Sequence, residues 1–327
     1  MTRTVRWGMI GAGDVTEVKS GPGFRKADNS ALVAVMRRNG ALAEDYAKRH
    51  GVPRWYDDGQ ALIDDPEVDA VYIATPPNVH QHYTLLAAKA GKPVYVEKPM
   101  AMTFAECQVM IDACEQAKVP LWVAYYRRSL PRFLKVKALL EDGAIGDLRS
   151  VTTLLYRPLP ASVPPDGLPW RVLPEVAGAG HFLDVGSHML DLLDYLVSPI
   201  RAVTGFAANQ AHQYPSEDQV VASYQFENGV LGVGLWCFNT SYTFDQIELV
   251  GTKGKITFPV YDAPTITLTT ADHQQQFEIA NPPHIQQPMI QAMVDELNGS
   301  GTCPSTGHTA ARTSWVMDQL VAAYYKR

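Results

Sequence analysis

The chain has 327 residues, of which 46% are hydrophobic and 19% are charged, and its formal net charge is −6. This length allows two domains with separate cores. The acidic balance argues against nucleic acid or an anionic membrane surface as the main partner, because both require concentrated Lys and Arg. No apolar run reaches the roughly 18 residues of a membrane span, and residues 1–7 lead into a strand instead of a signal-peptide core. We therefore expect a cytoplasmic protein.

The first part of the chain alternates short apolar runs with amphipathic segments of helical length. The runs predicted as strands are 5–10, 31–36, 70–74, 94–96 and 121–124. Helices are predicted between them, for example over residues 40–50 and 80–90. This alternation predicts an α/β domain with a doubly wound parallel sheet, which we assign to residues 1–124.

A glycine-rich turn follows the first predicted strand. The sequence GAGDV at residues 11–15 ends that strand and opens a helix, which is the context of a dinucleotide fingerprint. Gly11 allows the tight turn, and Gly13 lets the backbone approach a pyrophosphate at the helix N-terminus. We predict that Gly11, Gly13, Asp14 and Val15 bind a nicotinamide dinucleotide. Thr16 stands where a third glycine or alanine is usual, which predicts slightly looser packing between helix and strand.

The residues after the second predicted strand bear on the choice between NAD and NADP. A carboxylate here would bind the ribose 2′-hydroxyl and repel a 2′-phosphate, but the chain has Met36-Arg37-Arg38-Asn39. Two guanidinium groups are available to bind a phosphate. We expect Arg37, with Arg38 beside it, to favour NADP(H) over NAD(H). Solvated loop arginines are the alternative.

A lysine directly follows another apolar run of the predicted sheet. Glu97-Lys98-Pro99 comes after residues 94–96, and open α/β sheets bind ligands at the carboxyl ends of their parallel strands. Lys98 is therefore predicted to lie beside the nicotinamide, where it could take part in proton or hydrogen-bond chemistry. A surface lysine made rigid by Pro99 is the alternative.

The composition shifts toward β-branched and aromatic residues after a predicted helix at about 130–141. A second, mainly antiparallel sheet is predicted, with strands at 220–226, 230–238, 246–250, 254–258, 265–269 and 275–279. Asn228-Gly229 predicts a tight hairpin with a primed turn. Few helices are available to cover this sheet, so we expect its other face to form a homodimer or homotetramer. Residues 125–327 are assigned to substrate binding and oligomerisation, with a C-terminal helix at about 310–325 packing back on the body.

Asp184 and His188 form a second candidate site, within residues 178–191. On a helix, residues four apart share a face, and a carboxylate beside an imidazole orients it and raises its basicity. His188 is therefore a candidate general acid/base. A zinc site that also includes His181 is weaker, because no nearby Cys or His-Glu pair completes a tetrahedral site. A capped helix with a structural histidine is the remaining alternative.

The four cysteines show no spacing typical of a disulfide framework or a zinc site. We expect them to pack in the core, and no metal is predicted.

Taken in chain order, these motifs resemble those of the glucose-fructose oxidoreductase/inositol dehydrogenase (Gfo/Idh/MocA) family. Further segments that carry the resemblance are Thr75-Pro76-Pro77-Asn78-Val79-His80, Tyr125-Tyr126-Arg127-Arg128 and Trp170-Arg171. The resemblance implies an N-terminal Rossmann domain and a C-terminal α/β domain with a large open, mainly antiparallel sheet. It also implies hydride transfer between NAD(P) and a carbinol or carbonyl of a sugar, polyol or related hydroxy compound.

The family pattern implies specific roles for residues of this chain. Lys98, Asp184 and His188 would surround the reacting carbinol, with His188 as the favoured proton acceptor and Lys98 polarising the oxygen. Whether Lys98 or His188 moves the proton stays open. Further cofactor contacts are implied at Thr75, Pro76, Asn78, His80, Glu97, Lys98, Trp170 and Arg171. Further substrate contacts are implied at Tyr126, Arg127 and His181, although a structural Arg127 is equally compatible.

Three other functions stay open. The chain could be a nicotinamide-dependent glycosidase of the same fold, a dihydrodiol dehydrogenase, or a non-catalytic sensor that binds dinucleotide. Presence of all three polar groups, Lys98, Asp184 and His188, favours an active enzyme over the sensor.

Overall fold

The computed structural model describes residues 2–159 and 167–326. The strands are β1 (Val5–Ile10), β2 (Ser30–Met36), β3 (Arg54–Tyr56), β4 (Ala70–Ile73), β5 (Val94–Val96), β6 (Leu121–Val123), β7 (Leu148–Pro158), β8 (Ile200–Ala208), β9 (Gln219–Phe226), β10 (Leu231–Thr240), β11 (Phe244–Gly251), β12 (Gly254–Phe258), β13 (Thr265–Thr270) and β14 (Gln274–Glu278).

The helices are α1 (Gly21–Lys26), α2 (Gly40–His50), α3 (Gly59–Asp64), α4 (His80–Lys89), α5 (Phe104–Ala117), α6 (Pro131–Glu141), α7 (Pro174–Ala177), α8 (Ser187–Leu196), α9 (Gln287–Leu297) and α10 (Gly307–Tyr325). Short 3-10 turns lie at Pro77–Val79, Tyr126–Ser129 and Trp170–Val172, and π-helical turns at Thr16–Ser20 and Phe182–Gly186.

The chain divides into two compact units. The first comprises Met1–Leu130 and Pro282–Ala311, and the second comprises Pro131–Asn281 and Arg312–Arg327. The single boundary expected at residue 124 is therefore corrected, because residues 125–130 and 282–311 also belong to the first unit. In that unit α9 packs against α1, and Thr306 bridges to Trp122. These contacts join residues far apart in the chain, so local sequence patterns could not reveal them.

The first unit contains a six-stranded sheet with the order β3-β2-β1-β4-β5-β6. All neighbouring strands are parallel, which confirms the predicted doubly wound Rossmann sheet. The order reverses between β1 and β4, and open sheets of this kind bind ligands at the carboxyl ends of strands beside such a reversal. The prediction missed β3, because it is a three-residue edge strand without a fully buried residue.

The second unit contains an eight-stranded sheet with the order β14-β13-β12-β11-β7-β10-β9-β8. Only the β7–β10 pair is parallel, so the predicted large, mainly antiparallel sheet is confirmed. The prediction missed β7 and β8. In β8 the signal is weak, since its sequence IRAVTGFAA is rich in alanine and glycine, which have low β propensity.

One face of the second sheet is covered and the other is open within this unit. On the covered face, Phe182 contacts Trp236 and Phe133 contacts Phe258. On the open face, Phe206 is 80% exposed, Leu231 is 58% exposed and Val233 is 52% exposed. An apolar groove of about 540 Å³ runs along this open face.

The β9–β10 connection corrects the predicted primed turn. Phe226 O accepts from Gly229 N at 3.0 Å, and Phe226 N donates to Val230 O at 2.9 Å. Gly229 has a φ of +88°, while Asn228 is not among the residues with positive φ. This is the pattern of a longer hairpin loop with one left-handed glycine, whereas the predicted type I′ turn needs two positive φ values.

All four cysteines are free and buried, as predicted for core residues. Burial raises the pKa of the Cys114 and Cys303 thiols to about 12. Over the residues that the structure describes, no helix is both long and apolar enough to cross a membrane.

Candidate functional site

The glycine-rich turn lies at the carboxyl ends of three parallel strands. Gly11 has a φ of +93°, and a Cβ atom there would lie 2.9 Å from the backbone of Ala74 and Thr75. Gly11 N and Ala12 N donate to Met36 O at 3.0 and 3.2 Å. The turn is therefore held between β1, β2 and β4, where the strand order reverses.

Gly13 and Thr16 complete this turn. Thr16 Oγ1 donates to Gly13 O at 2.7 Å and accepts from Gly13 N at 3.0 Å. Thr16, where slightly looser packing between helix and strand is expected, is fully buried. A Cβ at Gly13 would come no closer than 3.8 Å to the surrounding protein atoms, so a glycine here serves the approach of a ligand better than protein packing. Asp14 is exposed and Val15 half-buried where the helix begins.

Arg37 and Arg38 follow β2 directly and are both exposed. Arg37 N donates to Tyr56 O at 3.1 Å, which fixes the backbone there. Among the residues that the structure describes, neither guanidinium has a side-chain hydrogen bond or an ion pair. Two positive charges therefore stand at the carboxyl edge of the sheet beside the glycine turn.

The loop after β4 contains four residues that were expected to contact the cofactor, and His80 differs from that expectation. Thr75 and Pro76 are half-buried and Asn78 is exposed. His80 is fully buried, with Nε2 lying 2.7 Å from Thr75 O and Nδ1 lying 3.1 Å from Pro99 O. Burial lowers the pKa of His80. The expected cofactor contact at His80 is corrected: the ring has no surface for a ligand and instead joins this loop to the segment after Lys98.

Glu97 is held by buried hydrogen-bond donors. Its Oε1 accepts from Tyr72 Oη and from Gln286 Nε2, both at 2.7 Å, and its Oε2 accepts from Lys98 N at 3.2 Å. Tyr95 Oη donates to Gln286 Oε1 at 2.8 Å. The carboxylate thus fixes the backbone at half-buried Lys98. Sequence reasoning missed Gln286, for which no local signal exists.

Tyr126 and Arg127, expected to contact substrate, lie in a 3-10 turn of the first unit. Both are buried, and the Arg127 guanidinium lies 5.1 Å from the centre of the Tyr126 ring.

Asp184 and His188 lie on one continuous helical segment, as predicted. The segment starts with the π-helical turn Phe182–Gly186 and continues as α8. Such π turns occur frequently at functional sites. Asp184 Oδ2 lies 3.2 Å from Arg171 Nε, and the Arg171 guanidinium stacks 4.5 Å from the centre of the Trp170 ring. The structure therefore brings together Trp170, Arg171 and Asp184.

His181 and His188 lie on either side of this turn. His188 is buried, and its ring centre is 6.3 Å from that of Tyr261. The Tyr261 hydroxyl donates to Val185 O. The His181 ring packs 5.5 Å from Phe238, and burial lowers the pKa of His181.

A cavity of about 310 Å³ opens beside the Asp184 turn within the second unit. Its lining residues are Leu155, Arg157, Pro158, His181, Val185, Phe238 and Tyr261. This volume is in the range of small-molecule sites. Arg157 lies 3.1 Å from Asp262 and 5.7 Å from the centre of the Tyr261 ring. Sequence reasoning missed Arg157 and Tyr261, which approach the turn from other strands and loops.

No cluster of three His, Cys, Asp or Glu residues that could hold a metal ion occurs in residues 2–159 and 167–326.

Comparison with known proteins finds two family models that match successive parts of the chain. A family model described as "Oxidoreductase family, NAD-binding Rossmann fold" matches residues 5–125, and the "GFO/IDH/MocA C-terminal domain" model matches residues 133–257. Oxidoreductase P35 from Formosa agariphila is 37% identical over 97% of this chain and 98% of its own length. The 1,5-anhydro-D-fructose reductase of Ensifer adhaerens is 28% identical over 92% of this chain and 91% of its own length.

A solved levoglucosan dehydrogenase, in complex with NADH and levoglucosan, has the same fold. The two structures superpose with a TM-score of 0.87 at 24% sequence identity, and the match covers 98% of this chain and 97% of the levoglucosan dehydrogenase chain. The family models, the extended similarity and the two-sheet architecture agree with one another. The chain belongs to the Gfo/Idh/MocA family of oxidoreductases, with an NAD-binding Rossmann domain.

Proposed function

We propose that this protein is an NADP(H)-dependent oxidoreductase that transfers a hydride between the nicotinamide and a carbinol or carbonyl of a sugar, polyol or related hydroxy compound. The observation that carries the proposal is the Asp184–Arg171 pair on the π-helical turn that leads to His188. This pair lies beside a small cavity, in a chain whose other unit has a dinucleotide turn. The relative named as a 1,5-anhydro-D-fructose reductase supports the substrate class.

The residues of the glycine turn fit a dinucleotide. Gly11 closes the turn in a conformation that a side chain would disrupt, and the backbone at Gly13 is open to a phosphate. Exposed Arg37 and Arg38 support NADP(H), because no carboxylate at this point repels a 2′-phosphate.

In the proposed mechanism, the bound nicotinamide supplies the hydride acceptor and three side chains act on the substrate hydroxyl. The Lys98 ammonium polarises the oxygen and stabilises the developing alkoxide. His188 accepts the hydroxyl proton. Asp184, whose carboxylate lies 3.2 Å from Arg171, is proposed to orient the imidazole through its negative charge. Tyr126, Arg127 and His181 are proposed to contact the rest of the substrate.

A dihydrodiol dehydrogenase is a second candidate, favoured by the lining of the cavity. Leu155, Pro158, Val185 and Phe238 make much of its wall apolar. An apolar diol ring would match this wall, whereas a sugar would use the Tyr261 ring and the polar groups of Arg157 and His181.

We also propose that the protein forms a homodimer or homotetramer through the open face of the eight-stranded sheet. Three large apolar side chains, Phe206, Leu231 and Val233, are more than half exposed there. Exposed contiguous apolar patches mark interaction sites in soluble proteins. The expected cytoplasmic location stays a proposal.

The proposed function is tested by incubating the purified protein with each cofactor and a panel of candidate substrates, and measuring the absorbance of the reduced nicotinamide. The panel contains aldoses, anhydrosugars, inositols, keto-sugars and dihydrodiols. We expect turnover of a sugar or polyol with NADP(H), lost in Lys98→Met. Turnover only of dihydrodiols would favour the second candidate. Tight dinucleotide binding without any turnover would contradict both and favour the glycosidase or the sensor.

A further inference from the structure

A buried polar segment connects β8 with β9 and has no part in the mechanism above. Ser216 and Glu217 are fully buried, and Asp218 is 1% exposed. Asp218 binds the preceding loop through both carboxylate oxygens, which accept from Gln210 N at 2.9 Å and from Ala211 N at 2.8 Å. These hydrogen bonds hold the segment to the preceding loop, and its buried carboxylates need specific partners.

The Glu217 carboxylate binds two separate parts of the second unit. Both of its oxygens lie 3.0 Å from Gly180 N, which donates to them. The hydroxyl of Tyr325, in the last turn of α10, donates to Oε2. Burial and the nearby Glu217 charge raise the pKa of Tyr325, so this hydroxyl remains a donor.

Gly180 packs closely against the segment that contains Ser216 and Glu217. A Cβ at this position would lie 2.7 Å from Glu217 O and 2.7 Å from Ser216 Oγ. The backbone at Gly180 therefore reaches the Glu217 carboxylate only because residue 180 has no side chain.

Gly180 lies just before the helical segment that carries Asp184 and His188. Gly180 O accepts from Leu183 N at 3.1 Å, so Gly180 and the π-helical turn form one bonded unit. The helix then runs without interruption to Leu196. A shift at Gly180 moves the start of the turn that carries Asp184 and, one turn further, His188.

We propose that Glu217 is a positioning residue: tied to Tyr325, its carboxylate fixes the Gly180 amide and thereby the turn that carries Asp184 and His188. The inference rests on the proposed function, since those two side chains are the groups it positions. A carboxylate suits this role because its hydrogen bonds to buried donors are charge-assisted, and an apolar side chain would leave the Gly180 amide without its acceptor.

The first test compares kcat and cofactor affinity in Glu217→Gln, Glu217→Leu, Tyr325→Phe and the double variant Glu217→Leu/Tyr325→Phe. We expect Glu217→Leu to lower kcat at least about tenfold, because a small misplacement of catalytic groups is costly. The Kd of NADP(H) should not change. Glu217→Gln, which keeps an acceptor for Gly180 N, should recover most of the activity. The double variant should be no slower than Glu217→Leu, since coupled residues are not additive.

Tyr324→Phe is the matched control. Tyr324 lies on the same helix turn, but its hydroxyl donates to Pro215 O at 3.2 Å and not to Glu217. We expect its kcat to equal that of the wild type, whereas Tyr325→Phe lowers kcat severalfold. Equal kcat in folded Glu217→Leu and the wild type, or a loss only of thermal stability, would overturn the proposal.

Amide hydrogen exchange supplies a readout that does not depend on turnover. In Glu217→Leu we expect residues 178–188 to exchange at least about tenfold faster than in the wild type, because the turn opens locally. An unchanged rate would overturn the positioning role. If the wild type turns over no substrate, the proposed function fails, and the exchange result still decides the role of Glu217.

Discussion

Arg37 is the single side chain that we propose distinguishes the two nicotinamide cofactors. We expect Arg37→Ala to lower kcat/KM for NADP(H) by about tenfold to a hundredfold, the effect of losing a charged hydrogen bond to phosphate. The value for NAD(H) should change little, because NAD has no 2′-phosphate. The measurement is kcat/KM with both cofactors.

Arg149→Ala is a suitable control for Arg37→Ala, because Arg149 is exposed and pairs only with Asp147 among the described residues. Its cofactor preference should equal that of the wild type. An equal loss for NADP(H) and NAD(H) in Arg37→Ala would contradict the assignment.

His80 makes stability depend on pH. Burial lowers its pKa below the usual 6.5, although the neighbouring carbonyls and the Glu97 charge oppose this shift. As the pH falls through about 6.5, the unfolded chain binds a proton that the folded protein does not bind, so the free energy of unfolding decreases. We expect the Tm of the wild type to fall between pH 7.5 and 5.5, and that of His80→Asn to fall less steeply.

His212→Asn is the control for His80→Asn. His212 is exposed and has a φ of +54°, a conformation that asparagine also tolerates. The pH dependence of its Tm should match the wild type. The role of His80 is contradicted if both variants show the wild-type slope.

At the scale of the element, we expect substitutions in the glycine turn to affect dinucleotide binding and folding stability differently. Gly13→Ala meets no protein atom closer than 3.8 Å, so its free energy of unfolding should stay within about 0.5 kcal/mol of the wild type. Dinucleotide binding should weaken at least about tenfold, because the added methyl group blocks the approach of the phosphate. Calorimetric binding and denaturant unfolding measure the two effects.

Gly11→Ala is the matched comparison. Its Cβ would lie 2.9 Å from Ala74 backbone at a φ of +93°, so both stability and dinucleotide binding should fall. Strain at such a position costs about 1–3 kcal/mol. Gly13→Ala with wild-type dinucleotide affinity would show that the turn does not bind the cofactor.

The elements differ in how well their sequences predict them. The bounds of β1 and α2 follow from local apolar patterns and agree with the prediction. The strand β3 lacks such a pattern, because it lies at the sheet edge. The Asp184 helix was predicted, but its π-helical turn was not. A Cβ at Gly186 would lie 2.6 Å from the Phe182 ring, and the apolar pattern does not show this close approach within the turn.

Contacts between distant parts of the chain mark the limit of sequence reasoning. Gln286 reaches Glu97 across 189 positions, and Glu217 reaches Gly180 across 37. Neither residue belongs to a recognisable motif, because its role is created by tertiary packing. Lys98 and Asp184, in contrast, stand in local motifs, so the sequence alone predicts them as site residues.

At the scale of the whole molecule, we expect the open sheet face to join subunits. Phe206 is 80% exposed on that face, and Phe206→Glu would place a charge in an apolar interface, where an unpaired charge is costly. Sedimentation equilibrium should show a dimer or tetramer for the wild type and a shift toward monomer for the variant. Val109→Glu, at an exposed position of α5, should keep the wild-type mass; a monomeric wild type would contradict this proposal.

The most direct test of the account follows the hydride itself. The protein is incubated with NADP⁺ and a turned-over sugar or polyol that carries deuterium on its carbinol carbon, and the mass of the reduced cofactor is measured. The account predicts that each reduced nicotinamide gains one deuterium from the substrate. Cleavage of a glycosidic bond with no net reduced cofactor would contradict it, because a glycosidase returns the hydride to the sugar.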